Sequence, residues 1–174
     1  NAGRRDRSFF TGITASHSNY DAFDSYTGSL FARWAYESTP LWQKQFTYAF
    51  GGELIATNES VFDFDLNERV RRTYGIAAIP MQTVWDRSND LLNPTRGFRL
   101  KLNVSPEASV HGQVRPYART MLEATAYYPV TDSLVIAGRA RAGSIFGISR
   151  DDLAPSRRYY GGGGGSVRGY GYQR

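Results

Sequence analysis

The sequence predicts an all-β protein, an antiparallel up-and-down segment of a transmembrane β-barrel with about seven strands. Three observations carry this. Apolar residues recur at every second position along most of the chain, and spacings of three and four are hard to find. The alternating segments run about ten to thirteen residues, where globular strands run nearer five or six and a tilted strand of about 9–11 spans a bilayer. The apolar faces end in Tyr, Phe or Trp, as they do at a membrane interface.

The first segment, about Ser8 to Tyr20, puts Phe9, Thr11, Ile13 and Ala15 on one face and Phe10, Gly12, Thr14 and Ser16 on the other. The second, about Tyr26 to Glu37, sets Leu30, Trp34 and Tyr36 against Phe31, Arg33 and Glu37. In the third, about Gln45 to Thr57, Phe46, Tyr48, Phe50 and Leu54 oppose Thr47, Ala49 and Glu53. The charged stretch Asp63 to Arg72 reads as a loop or hairpin extension. The fourth, about Tyr74 to Arg87, sends Ala77, Ile79, Met81 and Trp85 outward and Gln82 and Asp86 inward, with Pro80 marking a bend or bulge.

Asn89 to Gly97 is a turn: Asn and Asp bond their own backbone, Pro94 fixes its dihedral, and Gly97 permits positive φ. The fifth segment sets Phe98, Leu100, Leu102 and Val104 against Arg99, Lys101 and Asn103. Ser105 to Gln113 reads as a loop. The sixth, about Val114 to Tyr128, turns Leu122 and Tyr128 one way and Arg119, Met121 and Glu123 the other. The seventh, about Ser133 to Gly143, turns Leu134 and Ile136 against Arg139 and Arg141. Short turns near Pro40, Pro94 and Pro129 and longer connections at Asp63–Arg72 and Ser105–Gln113 are expected to mark opposite rims. Strands thus fill residues 1–143, and a long loop fills 144–174.

The inward set is charged: Arg33, Glu37, Glu53, Asp86, Arg99, Lys101, Arg119, Glu123, Arg139 and Arg141. A soluble sandwich shows the same alternation, so strand length, loop lengths and aromatic ends decide for the membrane. The chain has no Cys, which excludes disulfides and thiolate metal sites. His17 and His111 lack ligand spacing and read as surface or loop residues. No cofactor, metal or catalytic constellation is expected, and the chain reads as a non-enzyme. The formal charge is +5, nearly all from Arg, since Lys44 and Lys101 are the only lysines. No run of eighteen apolar residues exists for a transmembrane helix, and Asn1-Ala-Gly-Arg-Arg lacks the apolar core of a signal peptide. Asn58-Glu59-Ser60 and Asn103-Val104-Ser105 match a glycosylation pattern that an outer-membrane setting discounts.

The stretch from Arg157 to Arg174 holds five successive glycines, Gly161 to Gly165, which no helix or strand accommodates well. Val167, Arg168, Gly169 and Tyr170 follow. Such a segment either folds back and places an Arg fork in a cavity or forms an Arg/Gly/Tyr-rich tail that touches RNA.

Tyr159 to Tyr170, with Gly164-Gly165 and Val167-Arg168-Gly169-Tyr170, resembles the signature of the long extracellular loop in outer-membrane assembly factors and translocators. Asn93-Pro94-Thr95-Arg96-Gly97 resembles that family's periplasmic turn. These are the BamA/TamA-like surface-antigen barrels and two-partner secretion transporters, and the wording is nearest the TamA type. The resemblance implies a place in the outer membrane of a Gram-negative bacterium. It also implies a sixteen-stranded barrel, of which this chain supplies roughly the fifth to eleventh strands. The loop would dock in the lumen, with Arg168 meeting an inner-wall carboxylate on a later strand. Implied partners are outer-membrane lipid and lipopolysaccharide, client β-barrel or autotransporter-type proteins, and an inner-membrane-anchored assembly partner, but no nucleic acid. The alternatives are a passive porin and, against the strand pattern, an RNA-binding protein.

Overall fold

The computed structural model describes residues 6–19, 23–38, 43–63, 67–149 and 152–159. Strands are β1 (Arg7–Asn19), β2 (Phe23–Tyr36), β3 (Phe46–Asp63), β4 (Glu68–Ala78), β5 (Met81–Asp86), β6 (Gly97–His111), β7 (Gln113–Thr131) and β8 (Leu134–Phe146). They form one antiparallel sheet in the order β1-β2-β3-β4-β6-β7-β8, with β5 between β3 and β6. A short 3-10 turn, Pro155–Arg157, follows.

The strand count is eight where the sequence suggested about seven, and Pro80 is the reason. β4 and β5 pair with the same two neighbours, β3 and β6, one above the other. They are two halves of one wall strand, interrupted where Pro80 offers no N–H to the ladder. The gap is still bridged: Gly51 donates to the Pro80 carbonyl at 3.0 Å, and Ile79 donates to the Pro106 carbonyl at 2.9 Å.

Beside this break the backbone is tight. A Cβ at Gly51 would lie 2.2 Å from the Ala32 carbonyl oxygen. We expect Gly51→Ala to cost about 1–3 kcal/mol as the two strands are forced apart, read as a lower unfolding midpoint in detergent. An unchanged midpoint would show that this approach relaxes freely.

Two connections differ from the sequence expectation. Ser105 to Gln113 is a continuation of the β6–β7 hairpin, paired out to His111↔Gln113, with Gly112 at φ 79° making the turn. Its polar residues Ser105, Glu107 and Ser109 alternate with Pro106, Ala108 and Val110, which is how a strand with a wet inner face reads. Likewise β3 and β4 pair out to Asp63↔Glu68, so most of the charged stretch is strand. The expected contrast in loop length therefore fails at these connections, while the turn near Pro129, between β7 and β8, is short as expected. The rim expected to carry long loops has tightly closed, extended hairpins at β3–β4 and β6–β7, and the opposite rim carries the longer connections before β3 and after β5.

Cross-strand rows order the apolar face. Phe9, Trp34, Phe50, Met81 and Val104 align, and next to them Tyr36 pairs with Tyr48. Rings pack along this band: Tyr36–Tyr48 at 5.3 Å and Trp85–Phe98 edge-on at 5.3 Å. Higher up come Ile13, Leu30, Leu54, Ala77 and Ala108, then Ala15, Gly28, Ala56, Gly75 and Val110, and finally His17 and Tyr26, whose rings stack at 4.2 Å. From Tyr26 to Tyr36 the strand rises about 25 Å once tilted by about 40°, which matches the apolar band of a barrel wall. The side chains of this band are open to the surroundings: Ile13 is 82% exposed, Leu54 58% and Ile136 59%. Greasy residues this exposed, in continuous rows, need hydrocarbon against them. The small buried core, Ile55, Tyr74, Ile76 and Ala154, lies on the other face, under the chain that follows β8.

Candidate functional site: a lumenal latch

Residues 152–159 return across the charge-bearing face and are held there by two carboxylates. Leu153, Ala154 and Pro155 are buried beneath them. Glu107, on the extended part of β6, has no side-chain exposure. It accepts Arg157 Nε at 3.0 Å and Nη2 at 2.6 Å, a two-point fork on one carboxylate. Tyr117 Oη from β7 donates to the same group, and Arg119 Nη1 does so at 3.2 Å. Glu59, near the top of β3, is likewise fully buried. It accepts the Ser156 backbone N–H at 3.0 Å, the Ser156 hydroxyl, and Thr57 Oγ1 at 2.9 Å. Burial alone disfavours the Arg157 charge, but the hydrogen bonds and charge of Glu107 more than offset it, so Arg157 is held above its ordinary value.

The returning chain is braced at both ends. Asp152 meets Arg115 at 2.7 Å. Tyr159 donates to the Thr120 carbonyl at 3.0 Å, and Arg119 lies 5.2 Å from its ring centre. Arg158 Nη2 closes the segment on itself through the Leu153 carbonyl at 3.0 Å. Gly143 leaves room for Tyr159: a Cβ there would sit 3.0 Å from the ring. Nothing here resembles a nucleophile with its base. The arrangement fixes a loop to a wall.

Most of the expected inward charges fall on this face. Arg33 bonds Glu37 at 2.7 Å. Asp86 takes Arg99 Nε at 2.8 Å and anchors Ser88 beside the turn. Glu123 receives both Arg139 and Arg141 at 2.7 Å, and Lys101 stands opposite it in register. Glu53 and Arg33 line a pocket of about 270 Å³ with Arg119, Arg157 and Tyr159. The signature residues Gly164, Gly165, Val167, Arg168, Gly169 and Tyr170 lie outside the described residues.

The latch pair Glu107–Arg157 and the second anchor, Glu59–Ser156, escape the sequence reading. Glu107 sits in a stretch that reads as a loop, and Glu59 lies two residues past the expected end of the third strand. Continuing the period-two pattern through Ser105-Pro106-Glu107 and Thr57-Asn58-Glu59 puts both acids inward.

At the other rim, the Asn93–Gly97 motif is built as its chemistry requires. Asn89 Oδ1 accepts from the N–H groups of Thr95 and Arg96, each at 2.9 Å, and Asp90 Oδ1 from those of Leu92 at 2.8 Å and Asn93 at 2.7 Å. The Asn93 and Leu92 donors hold the exposed Asp90 carboxyl below its usual range. Its support for the turn is therefore full above about pH 4 and lost as pH falls through the lower folded value. Hydrogen exchange at the Leu92 and Asn93 amides should accelerate on that descent beyond the intrinsic rate. No such excess would mean that Asp90 does not hold the turn.

The family model described as the Omp85 superfamily domain matches residues 6–174. That span takes in the wall, the turn, the latch and the glycine-rich stretch. With a wall greasy outside and charged inside, and a loop returned onto its wet face, the chain belongs to the Omp85 superfamily, bacterial outer-membrane proteins that assemble or translocate other proteins.

Proposed function

We propose that this chain is wall and latch of a TamA-like barrel that helps insert client β-barrel or autotransporter-type proteins into the outer membrane. It would work with an inner-membrane-anchored partner. The observation that carries this is the fork of Arg157 on Glu107, beside the Glu59 anchor: the loop ahead of the signature is fastened to the inner wall. A fastened loop braces the barrel while its seam, elsewhere in the protein, opens. Client strands then pair by backbone at the exposed edge. The resemblance assigns the same fastening role to Arg168, and no bond is made or broken. A chain returned across the wet face also obstructs a passage, which favours assembly over the porin reading.

The test is complementation. In the full-length protein, Arg168→Ala is expected to lower client levels in the outer membrane several-fold while the barrel itself remains inserted and heat-modifiable. Wild-type client levels in that variant would contradict the bracing role. Conductance at porin levels without client assembly would favour the passive channel.

A further inference from the structure

Below the latch the wet face carries an excess of one charge. Tyr159 covers Gly143 on β8, and the next inward positions on that strand are Arg141 and Arg139. In register with Arg141 stand Glu123 on β7 and Lys101 on β6, and with Arg139 stand Thr125 and Arg99. Asp86 takes Arg99, which leaves Glu123 alone against three cations. Arg139 and Arg141 both reach the same oxygen, Glu123 Oε2, at 2.7 and 2.6 Å, and stay 48% and 44% exposed. Lys101 is partly exposed and has no ion pair or hydrogen bond among the described residues. Among those residues the other carboxylates toward this rim are engaged or distant. Glu37 bonds Arg33, Asp90 is held by the amides of its own turn, and Asp132, in the turn before β8, lies about 16 Å or more along the strand from Arg139. Residues 160–174 bring two further arginines and no Asp or Glu.

We propose that this strip docks an acidic, extended polypeptide segment of a periplasmic partner, with carboxylates at alternate positions. Charge and spacing both point there. Same-face residues of an extended chain are about 7 Å apart, which is also the separation of Arg139 and Arg141 along β8. A segment laid along β8 would set one carboxylate on Arg139 and the next between Arg141 and Lys101, as charge-assisted hydrogen bonds. The strip faces water, with the apolar face on the other side of the sheet, so a lipid with its acyl chains is ill matched to it. It lies between the latch and the Asn93–Gly97 turn and is therefore approached from the periplasm, which rests on the orientation adopted above. The contact is made by side chains on the wall, unlike the backbone pairing of a client strand at the seam.

The test uses the full-length protein in uncharged detergent and the fluorescence anisotropy of labelled peptides. The probes are an octapeptide of alternating Glu and Ser and its analogue with Gln in place of Glu. The Glu peptide is expected to bind about tenfold more tightly than the Gln peptide at low salt, and to be released as salt is raised. Lys101→Gln/Arg141→Gln should weaken its binding about tenfold, while Arg139 still meets Glu123. Arg71→Gln, on the outward face, should leave binding unchanged. Equal binding of the two peptides, no binding of the Glu peptide, or wild-type binding by the double variant overturns the proposal. So does an equal loss in Arg71→Gln, or tighter binding of an oligonucleotide of the same charge, which would make the strip a phosphate site. The comparison of peptides on the unmodified protein decides even if a variant misfolds. The readout is binding and not client level, so the bracing role stands or falls separately.

Discussion

Glu107→Ala is expected to release the loop and to cost about 3–5 kcal/mol of stability, the usual penalty for stranding one partner of a buried ion pair. Three side chains give this carboxylate four hydrogen bonds: both arms of the Arg157 fork, the Tyr117 hydroxyl and Arg119. Removing it leaves two guanidinium groups and a phenol on the wet face without their acceptor. Glu59 still holds Ser156, so the loop should loosen at Arg157 first. The readouts are the unfolding midpoint in detergent and protease cleavage between Arg157 and the glycine run. Arg157→Met, paired with Glu107→Met, separates the cost of a stranded charge from the worth of the contact. The double variant should recover part of the loss, because a buried pair replaced by apolar groups is often close to neutral, while Arg119 and Tyr117 still lack their acceptor. A Glu107→Ala protein as stable and as protease-resistant as the original would show that the fork does not fasten the loop.

Gly97→Val is the second large effect. Gly97 has φ 99°, a conformation that β-branched residues avoid, and a Cβ there would lie 2.1 Å from the Arg87 carbonyl oxygen. Arg87 donates its own N–H to the Phe98 carbonyl at 2.8 Å, so neither chain can move away without breaking the first rung below the turn. Backbone strain of about 1–3 kcal/mol adds to a similar cost for the clash. Thr95→Ala, by contrast, removes only the exposed bond from Asn89 Nδ2 to Thr95 Oγ1 and should cost well under 1 kcal/mol, roughly the value of one solvated hydrogen bond. Similar midpoints for the two variants would mean that the turn is not held by the Gly97 backbone.

The wall was legible in the sequence because its physics is local. Leu30, Leu54 and Leu122 fall outward, and Arg33, Glu53, Arg119 and Glu123 inward, by the two-residue period alone. Pro80 announced a break because a residue without an N–H cannot serve a central ladder. The turn at Asn89 to Gly97 was legible for the same reason, since its bonds close within a few residues. What escaped was non-local. Glu107 and Arg157 meet across fifty positions, and no spacing rule links them. The extended hairpin through Gly112 escaped for a different reason. Ser105, Glu107 and Ser109 look like loop residues when polarity is weighed without the possibility that one face of a strand is wet. The loop lengths expected at β3–β4 and β6–β7 fail for the same reason, because residues given to loops there belong to long strands.

Site-directed spin labelling tests the central claim most directly. Residues 1–174 include no cysteine, so single Cys substitutions can be introduced from Gly52 to Thr57 in the bilayer-embedded full-length protein, with any cysteine elsewhere replaced by Ser. Labels at Gly52, Leu54 and Ala56 should be reached by dissolved oxygen and shielded from a water-soluble nickel chelate. Those at Glu53, Ile55 and Thr57 should give the lower ratio of oxygen to chelate access. A period-two alternation in that phase is the predicted result. Equal accessibility along the strand, or alternation in the opposite phase, would contradict a wall with lipid on its leucine side and water and a fastened loop on its glutamate side.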